Sequence, residues 1–148
     1  MEVLVNNSYS GDKVFVYGKT RALQLHNNDG ETPDVIAVYL GTNDFANGCT
    51  LADFAINYPA MIQSITERYP DADVYLLNLL YYGSSADSFC SVIEDAAETY
   101  GCTYVDIRND AGFTSSNLGS YMPDAYGVHP GSTGMAMIAD CVADAMTK

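Results

Sequence analysis

Two groups of residues in this chain have the types and spacing to do chemistry. The first is Gly41-Thr42-Asn43-Asp44, where three short polar side chains directly follow an apolar, β-branched run over 34–40. An Asn in that position can offer its side-chain NH₂ to an oxygen that gains negative charge during acyl transfer. The second is His129, just before Pro130, with Asp124 five residues upstream. A carboxylate that holds an imidazole in one tautomer lets it act as a general base. Each group also has a plain structural reading: the first as an Asx-turn that ends a strand, the second as a surface hydrogen bond.

Both groups need elements to place them. The run 34–40 is apolar on successive residues and reads as a central strand buried on both faces of a parallel sheet. Ligands bind beyond the carboxyl ends of such strands. Before it, 2–5 reads as a strand followed by the turn formers Asn6-Asn7-Ser8-Tyr9-Ser10-Gly11, and 19–26 as a short helix ending in a turn at 26–30. That turn is no calcium loop, because Leu25 and Ile36 stand where ligands would be needed. After the Asn43 turn, Thr50 caps a predicted helix to about Tyr69 with Phe54, Tyr58, Met61, Ile62, Ile65 and Tyr69 inward, stopped by Pro70. A strand over 73–80, a helix over 85–100 capped by Gly101 and a strand over 103–107 come next. The second helix turns Phe89, Ile93, Ala96, Ala97 and Tyr100 inward. A polar loop of about twenty residues leads to His129, and a last helix over 132–146 buries Met135, Ile138, Ala139, Val142 and Met146. Strands alternating with helices imply an α/β fold with a mostly parallel sheet and helices on both sides, in a single domain over 1–148.

Composition narrows the partners. Six Lys and Arg against 19 Asp and Glu leave a formal charge of −13, which repels phosphate backbones and anionic lipid, so neither nucleic acid nor a membrane surface is an expected partner. No apolar run approaches the ~20 residues that span a bilayer, and the acidic, Asn-rich start does not read as a signal peptide, so the expected location is cytoplasmic. Cys49, Cys90, Cys102 and Cys141 are scattered without a Cys-x-x-Cys pair and read as reduced, mostly buried thiols rather than a zinc site or a disulfide framework.

Three separated blocks, taken together, resemble the SGNH (GDSL-type) serine hydrolases. Asn7-Ser8-Tyr9-Ser10-Gly11 resembles the family's second block, whose Gly lends a backbone N–H to the oxyanion hole. Gly41-Thr42-Asn43-Asp44 matches its G-x-N-D block, whose Asn is the other donor. His129-Pro130, followed by Gly134 and an apolar helix, resembles the last block, whose His is the base. The resemblance covers essentially the whole chain. It implies a three-layer α/β/α sandwich with a flavodoxin-like, mostly parallel sheet, and a serine esterase acting on a small-molecule ester. His129, Asp124, Asn43 and Gly11 would be its catalytic residues, with no cofactor and no metal. Family members often remove acetyl groups from sugars or act on small lipids.

The sequence departs from the family pattern twice. The last block normally reads D-x-x-H-P, but Tyr126 stands three residues before His129 and the nearest acid upstream is Asp124. The first block, a strand and then Gly-Asp-Ser with the nucleophilic Ser, should precede Asn7, where only six residues stand. The expectation is therefore a fold missing its first strand and an impaired esterase, with Ser8 and Ser10 as the only nearby substitutes. Strand 2–5 would close the resulting gap by pairing with 34–40, or a second copy of the chain would cover that edge as a homodimer. A non-catalytic binding or partner module on the same fold is the alternative function, and an unrelated flavodoxin-like domain is the alternative fold.

Overall fold

In the computed structural model the described residues are Leu25, 31–124 and 129–148. The expected strand at 2–5, the Gly11 loop, the helix over 19–26 apart from Leu25, and the turn at 26–30 lie outside them, and so does the expected pairing of 2–5 with 34–40. The described elements are β1 (Val35–Val38), α1 (Thr42–Ala46), α2 (Leu51–Arg68), β2 (Asp73–Leu77), α3 (Ser84–Tyr100), β3 (Thr103–Val105), α4 (Ile107–Asp110), a 3₁₀ turn (Leu118–Tyr121) and α5 (Ser132–Ala145). The three strands form one sheet in the order β1-β2-β3, parallel throughout, with Val35 opposite Asp73 and Tyr75 opposite Thr103.

Strand alternation sorts the apolar residues into two cores, one on each face of the sheet. Ile36, Val38, Val74 and Leu76 point to the side covered by α2 and α3, where Phe54, Tyr58, Met61, Ile62, Ile65, Phe89 and Ile93 meet them. Val35, Ala37, Tyr75, Leu77 and Val105 point to the other side, against Ile107, Phe113, Met122 and Ile138. The expected layering, helices on both faces of a parallel α/β sheet, is the observed one. Among the described residues β1 stands at the sheet's edge.

The two long helices form where periodicity and caps agree. Thr50 accepts the Asp53 N–H at 3.1 Å and caps α2, and Gly101 ends α3 in the left-handed region at φ 68°. Pro59 sits inside α2 without ending it; the helical donor it removes would have served the carbonyl of Ala55, an exposed residue. Tyr69 docks this helix further by donating its hydroxyl to the carbonyl of Leu25 at 3.0 Å.

Several boundaries and one helix face differ from expectation. The 73–80 run stops being a strand at Leu77, because Asn78 is fully buried and bonds through its side chain to β3 and the residues just after it. Its Nδ2 donates to Asp106 Oδ1 at 2.6 Å and to the Tyr104 hydroxyl at 3.1 Å, and its Oδ1 accepts the Arg108 N–H at 3.2 Å. Strand β3 ends at Val105 rather than 107 because Asp106 caps α4, accepting the Asn109 N–H at 3.1 Å. In α5 the inward residues are Gly134, Met137, Ile138, Cys141 and Val142. Met135 is 51% exposed and Ala139 is exposed, so the expected stripe is out of phase at both positions. The four cysteines are free, but only Cys90 is buried; Cys49, Cys102 and Cys141 are half-buried. No described helix is long and apolar enough to cross a membrane.

Tyr58 is fully buried between α2 and the sheet, and its hydroxyl has no hydrogen-bond partner among the described residues. Burial also pushes its pKa far up, so the phenol stays neutral. A buried unsatisfied donor is a cost that the ring alone would not carry. Tyr58→Phe is therefore expected to raise the unfolding free energy by about 1 kcal/mol in chemical denaturation, with an unchanged dependence on denaturant concentration.

Candidate active site

Gly41 makes the turn at the carboxyl end of β1. It lies in the left-handed region at φ 115°, and a Cβ there would stand 3.0 Å from Phe54 Cζ and 3.2 Å from Leu79 Cδ2. Only glycine fits both the dihedral and the space. After Gly41 the chain makes one helical turn, α1, in place of an Asx-turn: the Asn43 carbonyl accepts the backbone N–H and the side-chain Nδ2 of Asn47, at 3.0 and 2.9 Å. Asn43 itself is half-buried and Asp44 fully buried.

His129 and Asp124 come together. Asp124 Oδ2 lies 2.9 Å from His129 Nδ1, and Asp124 Oδ1 accepts the His129 backbone N–H at 3.1 Å, so one carboxylate fixes both the ring and its main chain. Because a carboxylate only accepts, Nδ1 carries a proton, and in the neutral ring Nε2 therefore holds the lone pair. The imidazole is 71% exposed and Asp124 24%. Residues 125–128, including Tyr126, lie outside the described residues.

Two glycines make this approach possible. The Gly131 N–H donates to the Tyr121 carbonyl at 2.8 Å, and Gly134 packs on Tyr121 and Pro130. A Cβ on Gly131 would stand 2.8 Å from Pro123 Cγ, and a proline ring cannot rotate away. Segment 121–124 would have to move, taking Asp124 with it. Gly131→Ala is therefore expected to cost about 1–3 kcal/mol of stability. The same variant should speed amide exchange at His129, whose N–H loses its acceptor.

Tyr81, beyond the end of β2, packs beside the first group and feels the charge of the second. Its ring packs on Phe45 with centroids 5.0 Å apart, and Phe45 stands two residues after Asn43 on α1. Its hydroxyl is raised in pKa by burial and then by the Asp124 carboxylate. Tyr39, at the end of β1, is pushed up to about 12 by burial, against a hydrogen bond with Thr42 that lowers it, and feels Tyr81 as well. Both phenols stay protonated near neutrality and are not bases. Arg108 holds the Tyr81 loop from behind: its Nη1 donates to the Tyr81 carbonyl and to Asp87 Oδ1, both at 2.8 Å. Tyr82 donates its hydroxyl to the Arg108 carbonyl at 3.1 Å.

Of the sequence-predicted site residues, Asp124 and His129 are hydrogen-bonded to each other and Asn43 stands at the strand end. Gly11 lies outside the described residues, as do Ser8 and Ser10. Tyr81 and Arg108 were not singled out; the dipeptide Tyr81-Tyr82 directly after an apolar run was the available signal. No group of three or more His, Cys, Asp and Glu suited to a metal ion occurs among the described residues.

Solved structures share this architecture. The chain resembles TesA at 23% identity, with a TM-score of 0.68, over 93% of this chain and 73% of that one. It resembles a Clostridium thermocellum family 3 carbohydrate esterase at 16% identity and TM-score 0.72, over 92% and 65%. It also resembles a variant of Axe2, an acetyl-xylooligosaccharide esterase from Geobacillus, at 20% identity and TM-score 0.67, over 92% and 68%. At such identities the likeness establishes the fold. No curated protein matches the chain by sequence. The family model described as "GDSL-like Lipase/Acylhydrolase family" matches residues 1–137, which is most of the chain with its G-x-N-D and His129-Pro130 blocks. The chain belongs to the GDSL-like lipase/acylhydrolase family.

Proposed function

We propose that this chain, as one domain, carries the base, its orienting acid and an oxyanion donor of a small-ester hydrolase whose substrates are acetyl esters, those of sugars foremost. The observation that supports the reading most is the Asp124–His129 hydrogen bond, which leaves Nε2 free to take a proton. In the reaction a Ser hydroxyl attacks the ester carbonyl while His129 Nε2 accepts its proton. The carbonyl oxygen, now negative, receives hydrogen bonds from Asn43 Nδ2 and the Gly11 N–H. The tetrahedral centre collapses, His129 returns the proton to the leaving alcohol, and water releases the carboxylic acid by the same steps in reverse roles. No step needs a metal. The preference for acetyl groups draws on the carbohydrate esterases among the structural relatives.

The nucleophile is the open position. The 148 residues contain no Gly-Asp-Ser triplet. Loss of the nucleophile from a serine hydrolase lowers kcat by about 10⁶. Residues 1–148 alone are therefore expected to hydrolyse p-nitrophenyl acetate only weakly, at a rate that Ser8→Ala and Ser10→Ala leave unchanged. Robust turnover abolished by either substitution would overturn this and identify the nucleophile. Binding of acetyl esters with no turnover at all would favour the partner-module reading instead.

A further inference from the structure

Tyr81 has no part in the proton transfers or in the oxyanion hole, yet its ring packs on Phe45 of the helical turn that carries Asn43, and its hydroxyl feels the Asp124 carboxylate. Its ring is half-buried, backed by Phe45 at 5.0 Å on the Asn43 side. Phe45 is in turn braced edge-on by Phe89 at 5.4 Å. Its main chain is fixed by the Arg108 guanidinium, itself tied to Asp87. The Tyr82 ring lies over the same guanidinium at 5.3 Å. A half-buried aromatic residue held this firmly by its neighbours is preorganised to offer a flat face. Its hydroxyl feels the Asp124 carboxylate, in a protein of formal charge −13. Arg108, the described cation nearest the loop, is already committed to Asp87 and the Tyr81 carbonyl. An aromatic face is electron-rich and attracts polarised C–H groups, and the neighbouring negative charge repels anions.

We propose that Tyr81 is the specificity-determining residue of this site: the alcohol part of the ester stacks its C–H face on the Tyr81 ring and must carry no negative charge. The inference rests on the acyl-ester reading above, since it assigns Tyr81 to the half of the substrate that leaves. Arg108 acts through Tyr81 as a positioning residue.

The test is equilibrium binding to the full chain of three probes: 3-O-acetylglucose, 3-O-acetylglucuronate and ethyl acetate. Wild type is expected to bind 3-O-acetylglucose the tightest. Tyr81→Ala should weaken that binding about 3- to 10-fold and leave ethyl acetate unchanged, the size expected for loss of one aromatic stacking contact. Tyr81→Phe should bind like wild type, because the face and not the hydroxyl makes the contact. Tyr81→Leu keeps the apolar bulk against Phe45, so a loss there cannot be assigned to unfolding. Added salt should narrow the penalty on 3-O-acetylglucuronate by screening. Unchanged probe ratios in Tyr81→Leu, or a Tyr81→Phe as weak as Tyr81→Ala, would overturn the proposal. Selective binding without hydrolysis would count against the esterase reading and leave Tyr81's role standing. Hydrolysis without selectivity would do the reverse.

Discussion

Asn43→Ala is expected to lower the residual turnover of acetate esters by about 10²–10³, the usual cost of one oxyanion donor. His129→Ala should lower the same turnover by less than about tenfold, because a serine nucleophile and its base work as a unit and the base loses most of its value without its partner. In an intact serine hydrolase the ranking is the opposite. The order of the two effects on p-nitrophenyl acetate hydrolysis therefore reports whether a nucleophile paired with His129 exists within these 148 residues. A His129→Ala effect larger than that of Asn43→Ala would show that one does.

Gly41→Ala should give the largest loss of stability of any single methyl group added to the described turns. The residue must keep a left-handed backbone, which costs an alanine roughly 1–2 kcal/mol. The new Cβ would also press on the fully buried Phe54 at 3.0 Å and on Leu79 at 3.2 Å, and overpacking of this kind costs about 1–3 kcal/mol. Together the loss is about 3 kcal/mol, or roughly 10 °C in Tm for a chain of this size. Gly48 is the control. It too has a positive φ, 77°, but nothing lies within 4 Å of its added Cβ, so Gly48→Ala should cost only the backbone share. Equal losses in thermal melts would show that the contact with Phe54 does not matter.

The parts of the fold legible in the sequence were those where local signals agreed. Phe54, Tyr58, Met61, Ile62 and Ile65 repeat at helical spacing between a Thr50 cap and Pro70, and all five are buried on α2. The strand ends were less legible because an apolar run carries no mark of where pairing stops. At Leu77 it stops because the next residue, Asn78, is drawn into bonds with Tyr104 and Asp106, 26 and 28 positions away. The face of α5 was misjudged at Met135 and Ala139 because its helix is seated by Gly131 and Gly134 against Tyr121 and Pro123, a contact no periodicity encodes. In the site, G-x-N-D and His129-Pro130 were readable as motifs. The pairing of Asp124 with His129 was readable only as a candidate, because the spacing of five departs from the family's three; folding of segment 121–124 onto the start of α5 is what brings the pair to 2.9 Å. Tyr81 was missed because one aromatic residue after a strand has no pattern of its own.

If Asn43 and the Asp124–His129 pair serve one acyl group, both must respond to the same small ligand. The most direct measurement is a nuclear magnetic resonance titration of the chain with acetate, the expected product, following the Asn43 side-chain NH₂ and the His129 ring. Both sets of resonances should shift along one binding curve with a single dissociation constant, and Asn43→Ala should abolish the His129 shift. Shifts at His129 that persist unchanged in Asn43→Ala, or an acetate that moves one group and not the other, would contradict a shared site.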